Sequence, residues 1–425
     1  MITRIEIDGF KSFLGFELDV QPCTILVGGN GAGKSNLLGA LDLVRQTVAT
    51  GFPVTPGADT PLAPRHLFHR ADGRTAAVMS IKVGMIVPSA DGPLPMVVWL
   101  EVERAEAPRS PGAAPLLRGS VWVSSMERTG WMRRLGLPAE LRAALAEARE
   151  SFVRRTGTDW VPLDGAHAPS AGHGPVVNGQ GDGELLELLH RECETWQPVT
   201  LDPAAMRRAS GGSEMAPLLA DGSNLAAVLH RLCTEGQEGL EQDLAALVPE
   251  SSGIRPLFDD RRGEYDFDVR VRHLGWTSPP MLAGGTLRVL ALLAAWRDDA
   301  RAGLLAVEEL ENGLHPTTLA ELVRLLRHGV DDYADIPGRA AHVRGFRQLL
   351  ATTHSPALLS ALRHEMSGNL VFLEQAALAD PGRPAGPTVT RAHPLRERRP
   401  GEDPGETVST EQVRLLLEQM GQTVV

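Results

Sequence analysis

With 425 residues, 43% of them hydrophobic, the chain can bury one large core carrying an inserted subdomain, or two or three ordinary domains, which excludes a disordered polypeptide. The formal net charge of -11 excludes a surface that grips nucleic acid all over, because neutralising phosphates takes clustered Lys and Arg. No apolar stretch approaches the roughly 20 residues that span a bilayer, and MITRIEIDGFKSF has neither the apolar run nor the cleavage pattern of a secretory signal, so a cytoplasmic location and no membrane partner are expected.

In chain order, ITRIEID, FLGFELDV and CTILVGG read as strands separated by Gly, Ser or Pro, and the last feeds a glycine-rich loop followed by the leucine-spaced helix SNLLGALDLVRQTV. Further strands are predicted at 75–87 and 95–103, with a surface loop over 107–117 before SVWVSSM. Residues 1–126 thus form a β-rich N-terminal lobe. From 127 to 250 the pattern turns helical, in PAELRAALAEARESFVRR, GELLELLHRECETW and SNLAAVLHRLCTEGQEGLEQDLAALV, with a Gly-rich polar spacer at 169–183. None of these sustains an a/d heptad long enough for a coiled coil, so a compact helical insertion is expected. Strand signals at 264–274, 303–307 and 347–353 alternate with helices at 286–297 and 317–328, which predicts a mostly parallel α/β unit over 251–380. A tail, 381–425, ends in the short helix EQVRLLLEQM. Cys23, Cys193 and Cys233 form no CxxC pair and read as ordinary buried thiols.

Four segments carry chemistry. GGNGAGKS fills GxxxxGK[ST] with Gly28, Gly33, Lys34 and Ser35, between a strand and a helix. Glycines there let backbone N–H groups close round phosphates, the helix N-terminus favours the anion, Lys34 reaches the β/γ-phosphates and Ser35 ligates magnesium. The candidate nucleotide site is Gly28, Asn30, Gly31, Ala32, Gly33, Lys34, Ser35 and Asn36. The plain alternative is a glycine turn ahead of a helix.

In LLAVEELENGLHP an apolar strand ends in Glu308 and Glu309. Neighbours in a strand point to opposite faces, so Glu308 is assigned to the metal and Glu309 to general-base duty on a water lined up with the γ-phosphate. Two merely solvated acids at a strand end are the alternative. LLATTHSP is another apolar strand, stopping at His354, whose spacing after the acids predicts a place on the same sheet edge as the loop, where a histidine bridges phosphate and water. A structural histidine is the competing reading. In LAGGTLRVLALLAAW, Gly284, Gly285 and Thr286 open an apolar helix, as an anion site or simply as the turn that starts it.

In this order GGNGAGKS, LAGGT, VEELENGLHP and TTHSP resemble the Walker A, signature, Walker B with D-loop, and switch-histidine motifs of ABC-type ATPases. With ITRIEIDGFKSF and DGSNLAAVLHRL they are similar to the RecF/SMC/OLD-like group of AAA-type ATPases. The resemblance implies an α/β ABC/SMC-type P-loop ATPase head using ATP and Mg2+, with Glu309 and His354 catalytic and Ser35 and Glu308 on the metal. It also implies a homodimer or higher oligomer, in which Ala283, Gly284, Gly285 and Thr286 of one copy act in trans on the other copy's nucleotide. ATP-driven closure would then be coupled to DNA or to a separate effector or nuclease chain, in DNA maintenance or anti-phage defence. The alternative is a slow-turnover, ATP-bound scaffold that sequesters and releases an effector; a transporter subunit or P-loop kinase fits the motif set less well.

Three departures from that pattern stand out. Ala283 replaces the usual signature serine, Leu310 replaces the proline common after the two acids, and no Q-loop glutamine is identified. Arg133, Arg134, Arg154, Arg155, Arg207, Arg208 and Arg396–Arg399 are candidate phosphate contacts, beside their plainer reading as solvated surface.

Overall fold

The computed structural model describes residues 1–51, 66–71, 73–104, 117–124, 135–156, 160–164, 180–211, 216–236, 239–340, 342–362, 365, 368–377, 388–396 and 407–408. The expected tail helix, most of the 107–117 loop and 169–183 spacer, and Arg133, Arg134, Arg398 and Arg399 lie outside them.

The first strand, β1 (Ile2–Asp8), pairs antiparallel with β2 (Phe16–Asp19), and the buried Arg4 guanidinium ties the two by bonding Glu6, Glu17 and Asp19. After β3 (Cys23–Val27) come helix α1 (Lys34–Thr50) and the short pair β4 (Arg70–Ala71) and β5 (Arg74–Thr75). Long strands β6 (Val78–Ser89) and β7 (Gly92–Arg104), then β8 (Leu117–Ser124), α2 (Ala139–Thr156) and β9 (Trp160–Asp164), complete a six-stranded antiparallel sheet ordered β2-β1-β6-β7-β8-β9. Five of its strands come from the 1–126 stretch expected to form a β-rich lobe, and β9 comes from beyond it.

The second half follows through α3 (Gln180–Glu194), β10 (Gln197–Val199), α4 (Pro203–Met206), β11 (Ser210–Gly211), α5 (Leu225–Thr234) and α6 (Leu240–Leu247). Strands β12 (Ser251–Asp259), β13 (Glu264–Val271) and β14 (Gly275–Thr277) form a small antiparallel sheet with β11. Then come α7 (Gly284–Arg297), β15 (Leu304–Val307), α8 (Pro316–His328), α9 (Ile336–Arg339), β16 (Gln348–Thr353), α10 (Pro356–Leu362), β17 (Leu370–Ala377) and β18 (Thr388–Pro394).

The central sheet runs β10-β15-β16-β3-β17-β18, parallel except for β18. Its inner strands are near-continuous apolar runs because both faces are covered. Ile25, Val27, Leu305, Val307, Leu349 and Ala351 face a core shared with α5, α6, α7 and α8, while Leu26, Leu304, Ala306 and Leu350 face α1 and the antiparallel sheet. Helix α7 is buried all round, from Leu287 to Trp296, as expected of a helix with no polar stripe.

The stretch 127–250, expected to be helical, also supplies β9 to the antiparallel sheet and β10 to the edge of the parallel one. Three residues of QPV are too few to show a period, so only pairing with β15 reveals that strand.

Candidate functional site

Strand β16 lies between β3 and β15, with Thr353 paired to Val27 and Ala351 to Val307. All three strands run the same way, so the loop after β3, the acids after β15 and the histidine after β16 leave one edge of the sheet together. This is the position at which open parallel sheets hold ligands.

The loop Gly28–Gly33 is shaped by close packing. A Cβ on Gly28 would lie 2.4 Å from the Leu373 carbonyl oxygen, and one on Gly33, which has φ 101°, would lie 2.4 Å from the Thr390 hydroxyl. Only glycine fits either place. Gly33 is the N-cap of α1 and no side chain caps it, which leaves the first-turn N–H groups without a side-chain acceptor. Gln375 Nε2–H donates to the Gly31 carbonyl at 2.6 Å, and the Thr390 hydroxyl donates to the Ala32 carbonyl at 3.0 Å, so β17 and β18 hold the loop from behind. Asn36 donates to Ser12 Oγ at 3.0 Å, while Asn30, Gly31 and Ser35 are exposed.

The Lys34 ammonium, in a residue 8% exposed, donates to the carbonyls of Gly28 and Gly29 at 2.6 and 2.9 Å. Burial lowers its pKa, and the carboxylates of Glu311, Glu309 and Glu308 raise it again. Three acids therefore act electrostatically on the phosphate-loop lysine, one more than the sequence assigned.

Glu308 is fixed through its main-chain N–H to the Val199 carbonyl at 3.0 Å, and its carboxylate accepts from the Thr200 hydroxyl at 3.1 Å. Glu309 lies beyond the last residue of β15 and has φ 49°, in the left-handed region. The two acids therefore diverge because the backbone turns at Glu309, not because strand neighbours alternate, which corrects the physical reason expected from the sequence. The Glu309 N–H donates to the Thr352 hydroxyl at 2.9 Å, and its carboxylate accepts from Asn312 Nδ2. Leu310 buries its side chain and donates its N–H to the Thr352 carbonyl at 3.0 Å, a bond that proline could not make. His354 is held by Glu311, whose Oε1 accepts its main-chain N–H at 2.7 Å and lies 2.7 Å from its ring Nδ1.

Ala283 is the N-cap of α7 and offers no side-chain bond; Gly284, Gly285 and Thr286 form the first turn. That turn is tied to the segment after Glu309. A Cβ on Gly285 would stand 2.4 Å from the Gly313 carbonyl oxygen, and the Arg288 guanidinium donates to the carbonyls of Asn312 at 2.8 Å and Leu201 at 2.9 Å.

Several of these residues escape a sequence reading. Thr200, Thr352 and Arg288 act through backbone or carboxylate partners far along the chain, and no local pattern signals that. Lys11 joins them: its backbone is left-handed, φ 45°, and its carbonyl accepts from His69 Nδ1–H at 2.6 Å. Burial lowers the Lys11 ammonium's pKa while the Glu308 carboxylate opposes the shift. Glu311 sits inside VEELENGLHP, yet nothing in that string distinguishes it from a solvated acid.

Among the candidate phosphate-binding arginines, Arg155 pairs with Asp91 and Glu184, Arg154 pairs with Glu150, and Arg207 donates to the Leu282 carbonyl. Among the described residues no helix is long and apolar enough to cross a membrane.

Residues 1–60 match the family model described as "AAA ATPase domain", and residues 244–360 match the one described as "AAA domain, putative AbiEii toxin, Type IV TA system". The first of these contains the Lys34 loop, and the second contains Glu308, Glu309 and His354. No curated protein matches the chain. Among solved structures it is similar to an Smc head bound to the C-winged helix domain of ScpA, at 14% identity and TM-score 0.49, covering 93% of this chain and 97% of that one. It is also similar to an Smc head domain from Pyrococcus yayanosii, at 11% identity and TM-score 0.49, and to one from Pyrococcus furiosus, at 12% and 0.48, each covering 99% of both chains.

Proposed function

We propose that this chain, an ABC/SMC-like P-loop ATPase, binds Mg-ATP in the loop Gly28–Asn36, hydrolyses it with Glu309 and His354, and closes as a dimer of heads. The observation that carries the reading is the convergence of that loop, the two acids and the histidine on the ends of three adjacent parallel strands.

The residues fit a magnesium ion that arrives with phosphates. Among the described residues no group of three or more His, Cys, Asp and Glu could hold a metal by itself, whereas the Ser35 hydroxyl and the Glu308 carboxylate offer two hard oxygens. Magnesium is commonly held by one or two carboxylates plus substrate phosphates, and when bound it neutralises charge developing on the phosphoryl oxygens. Lys34 leaves the Gly28 and Gly29 carbonyls for the β/γ-phosphates. The uncapped N–H groups of α1 receive the same anion, helped by the helix dipole. Glu309 accepts the proton of the attacking water, and His354 meets the same water beside the γ-phosphate.

The Ala283–Thr286 turn completes the site on the other copy of the chain. Because Gly285 touches Gly313 of its own chain, each signature turn is mechanically joined to the acids of the site it does not serve. DNA or a separate effector chain is the cargo that closure would act on, in DNA maintenance or anti-phage defence. If DNA is the cargo, the protein binds it at low salt in at least one nucleotide state.

Steady-state turnover and mass in solution of wild type and Glu309→Gln test the reading together. Removal of a general base costs roughly 10²- to 10⁴-fold. The Glu309→Gln form is therefore expected to bind ATP, lose turnover by that order and dimerise with ATP. A wild type without ATP turnover, or a monomer in every nucleotide state, sinks it.

One observation favours a slow-turnover, ATP-bound scaffold as the second reading. The N-cap of α7 is Ala283, which has no hydroxyl for a phosphate. A hydrogen bond to a charged group is worth about 1.5–3 kcal/mol, so Ala283→Ser is expected to tighten the ATP-bound dimer by roughly 10- to 100-fold. Unchanged dimer affinity would remove the basis for this reading.

A further inference from the structure

The bond pattern at Glu311 is not explained by holding a loop. One carboxylate oxygen, Oε1, accepts the main-chain N–H of His354 at 2.7 Å and lies 2.7 Å from its ring Nδ1. The other oxygen, Oε2, is buried with no hydrogen-bond partner among the described residues. A desolvated carboxylate with a vacant oxygen destabilises the fold unless its charge is used. The charge has two targets here. It opposes the burial that lowers the Lys34 pKa, more than the other two acids do, and it lies against the His354 imidazole.

We propose that Glu311 is the positioning residue of His354: it fixes the Nδ1–H tautomer of the ring and leaves Nε2 as the nitrogen that accepts from the attacking water. The reasoning is geometric. A carboxylate can only accept, so a ring nitrogen 2.7 Å from it must carry the proton. In the neutral imidazole the second nitrogen is then the acceptor. Because Glu311 also binds the main-chain N–H of the same residue, ring and backbone are clamped by one atom. The ring therefore leaves the strand end in one orientation, with 44% of the His354 side chain still exposed. Glu311 is in turn positioned by Glu309 and Asn312, which close the turn between them: the Asn312 N–H donates to the Glu309 carbonyl at 3.0 Å. The same turn that aims the candidate base thus aims the group orienting the histidine.

The inference rests on the proposed hydrolysis for its kinetic consequence, but not for its structural one, so two measurements separate the two. In the first, ¹⁵N-histidine spectra are recorded for wild type, His354→Gln and Glu311→Ala, the His354→Gln form identifying the signal. Wild type is expected to show His354 protonated at Nδ1 and bare at Nε2, and Glu311→Ala to show a mixture or the opposite tautomer. A wild-type His354 protonated at Nε2 alone overturns the proposal, whether or not the protein hydrolyses ATP and whether or not Glu311→Ala folds.

The second measurement is a double-mutant cycle on turnover. Loss of an orienting carboxylate commonly costs roughly 10- to 100-fold, so Glu311→Ala is expected to lower kcat by that order with less than about a twofold change in KM. In a His354→Ala background the same change is expected to cost nothing further. Additive losses would place Glu311 on a different task and overturn the assignment, while Glu311→Gln, which keeps an acceptor, is expected to retain more kcat than Glu311→Ala.

Discussion

The main-chain N–H of Glu309 donates to the Thr352 hydroxyl at 2.9 Å, across 43 residues of sequence. Thr352 also accepts the Leu310 N–H on its carbonyl, so one residue of β16 holds two successive N–H groups where the turn presenting the candidate base begins. The clamp explains how a glutamate stays at φ 49°, where non-glycine residues pay about 1–2 kcal/mol.

Thr352→Val keeps the shape of that side chain and removes its hydroxyl. The Glu309 N–H loses its acceptor, at a cost of about 1–3 kcal/mol if water cannot replace it. Denaturant unfolding is expected to register that loss, and turnover is expected to fall more than ATP affinity. Equal stability and turnover would mean that the turn holds without the bond.

The left-handed backbone at Glu309 also separates two inactive variants. Glycine takes that conformation freely and alanine does not, so Glu309→Gly is expected to be more stable than Glu309→Ala by about 1 kcal/mol. Chemical denaturation of both proteins checks the sign.

Gly285 meets the Gly313 carbonyl so closely that a methyl group must displace one of them. Overpacking of this kind costs roughly 1–3 kcal/mol. Gly285→Ala is expected to lower the melting temperature and slow turnover while ATP still binds to the wild-type loop around Lys34. Calorimetric titration of an ATP analogue, run beside the ATPase assay, distinguishes this from general loss of folding.

The Arg231 and Asp298 side chains, 5% and 2% exposed, form a two-bond ion pair between α5 and the end of α7, which raises the Arg231 pKa. Asp298→Ala leaves a buried guanidinium without its main counter-charge. The expected cost is about 3–5 kcal/mol, read from the denaturation midpoint. A loss under about 1 kcal/mol would show that water reaches the pair.

Burial pushes the Cys23 thiol up to about 12 and the Cys193 thiol well above its ordinary value, with a smaller upward shift at the partly buried Cys233. Only the thiolate reacts, so at pH 8 the folded protein is expected to react slowly with a thiol reagent, Cys233 first. All three cysteines react once the chain is unfolded. Fast labelling of Cys23 in the folded protein would show that β3 opens.

The loop GGNGAGKS, the buried runs CTILV, LLAV and QLLATT, and the helix after Gly33 are legible in the sequence because each depends on local chemistry. Glycine alone tolerates the close turns, and a strand covered on both faces must be apolar along its length. The two acids and the histidine are visible for the same reason, as polar residues at the ends of such runs. Spacing puts His354 on the same sheet edge as the loop, but the sequence does not contain the pairing of β16 between β3 and β15 that sets the three strand ends side by side. Nor does it show Thr200 beside Glu308, Arg288 on the Leu201 and Asn312 carbonyls, or His354 on Glu311. Each of those joins residues distant in the chain, often through a backbone carbonyl that every residue type possesses. Such partners leave no trace in composition or spacing, so only the packed structure selects them.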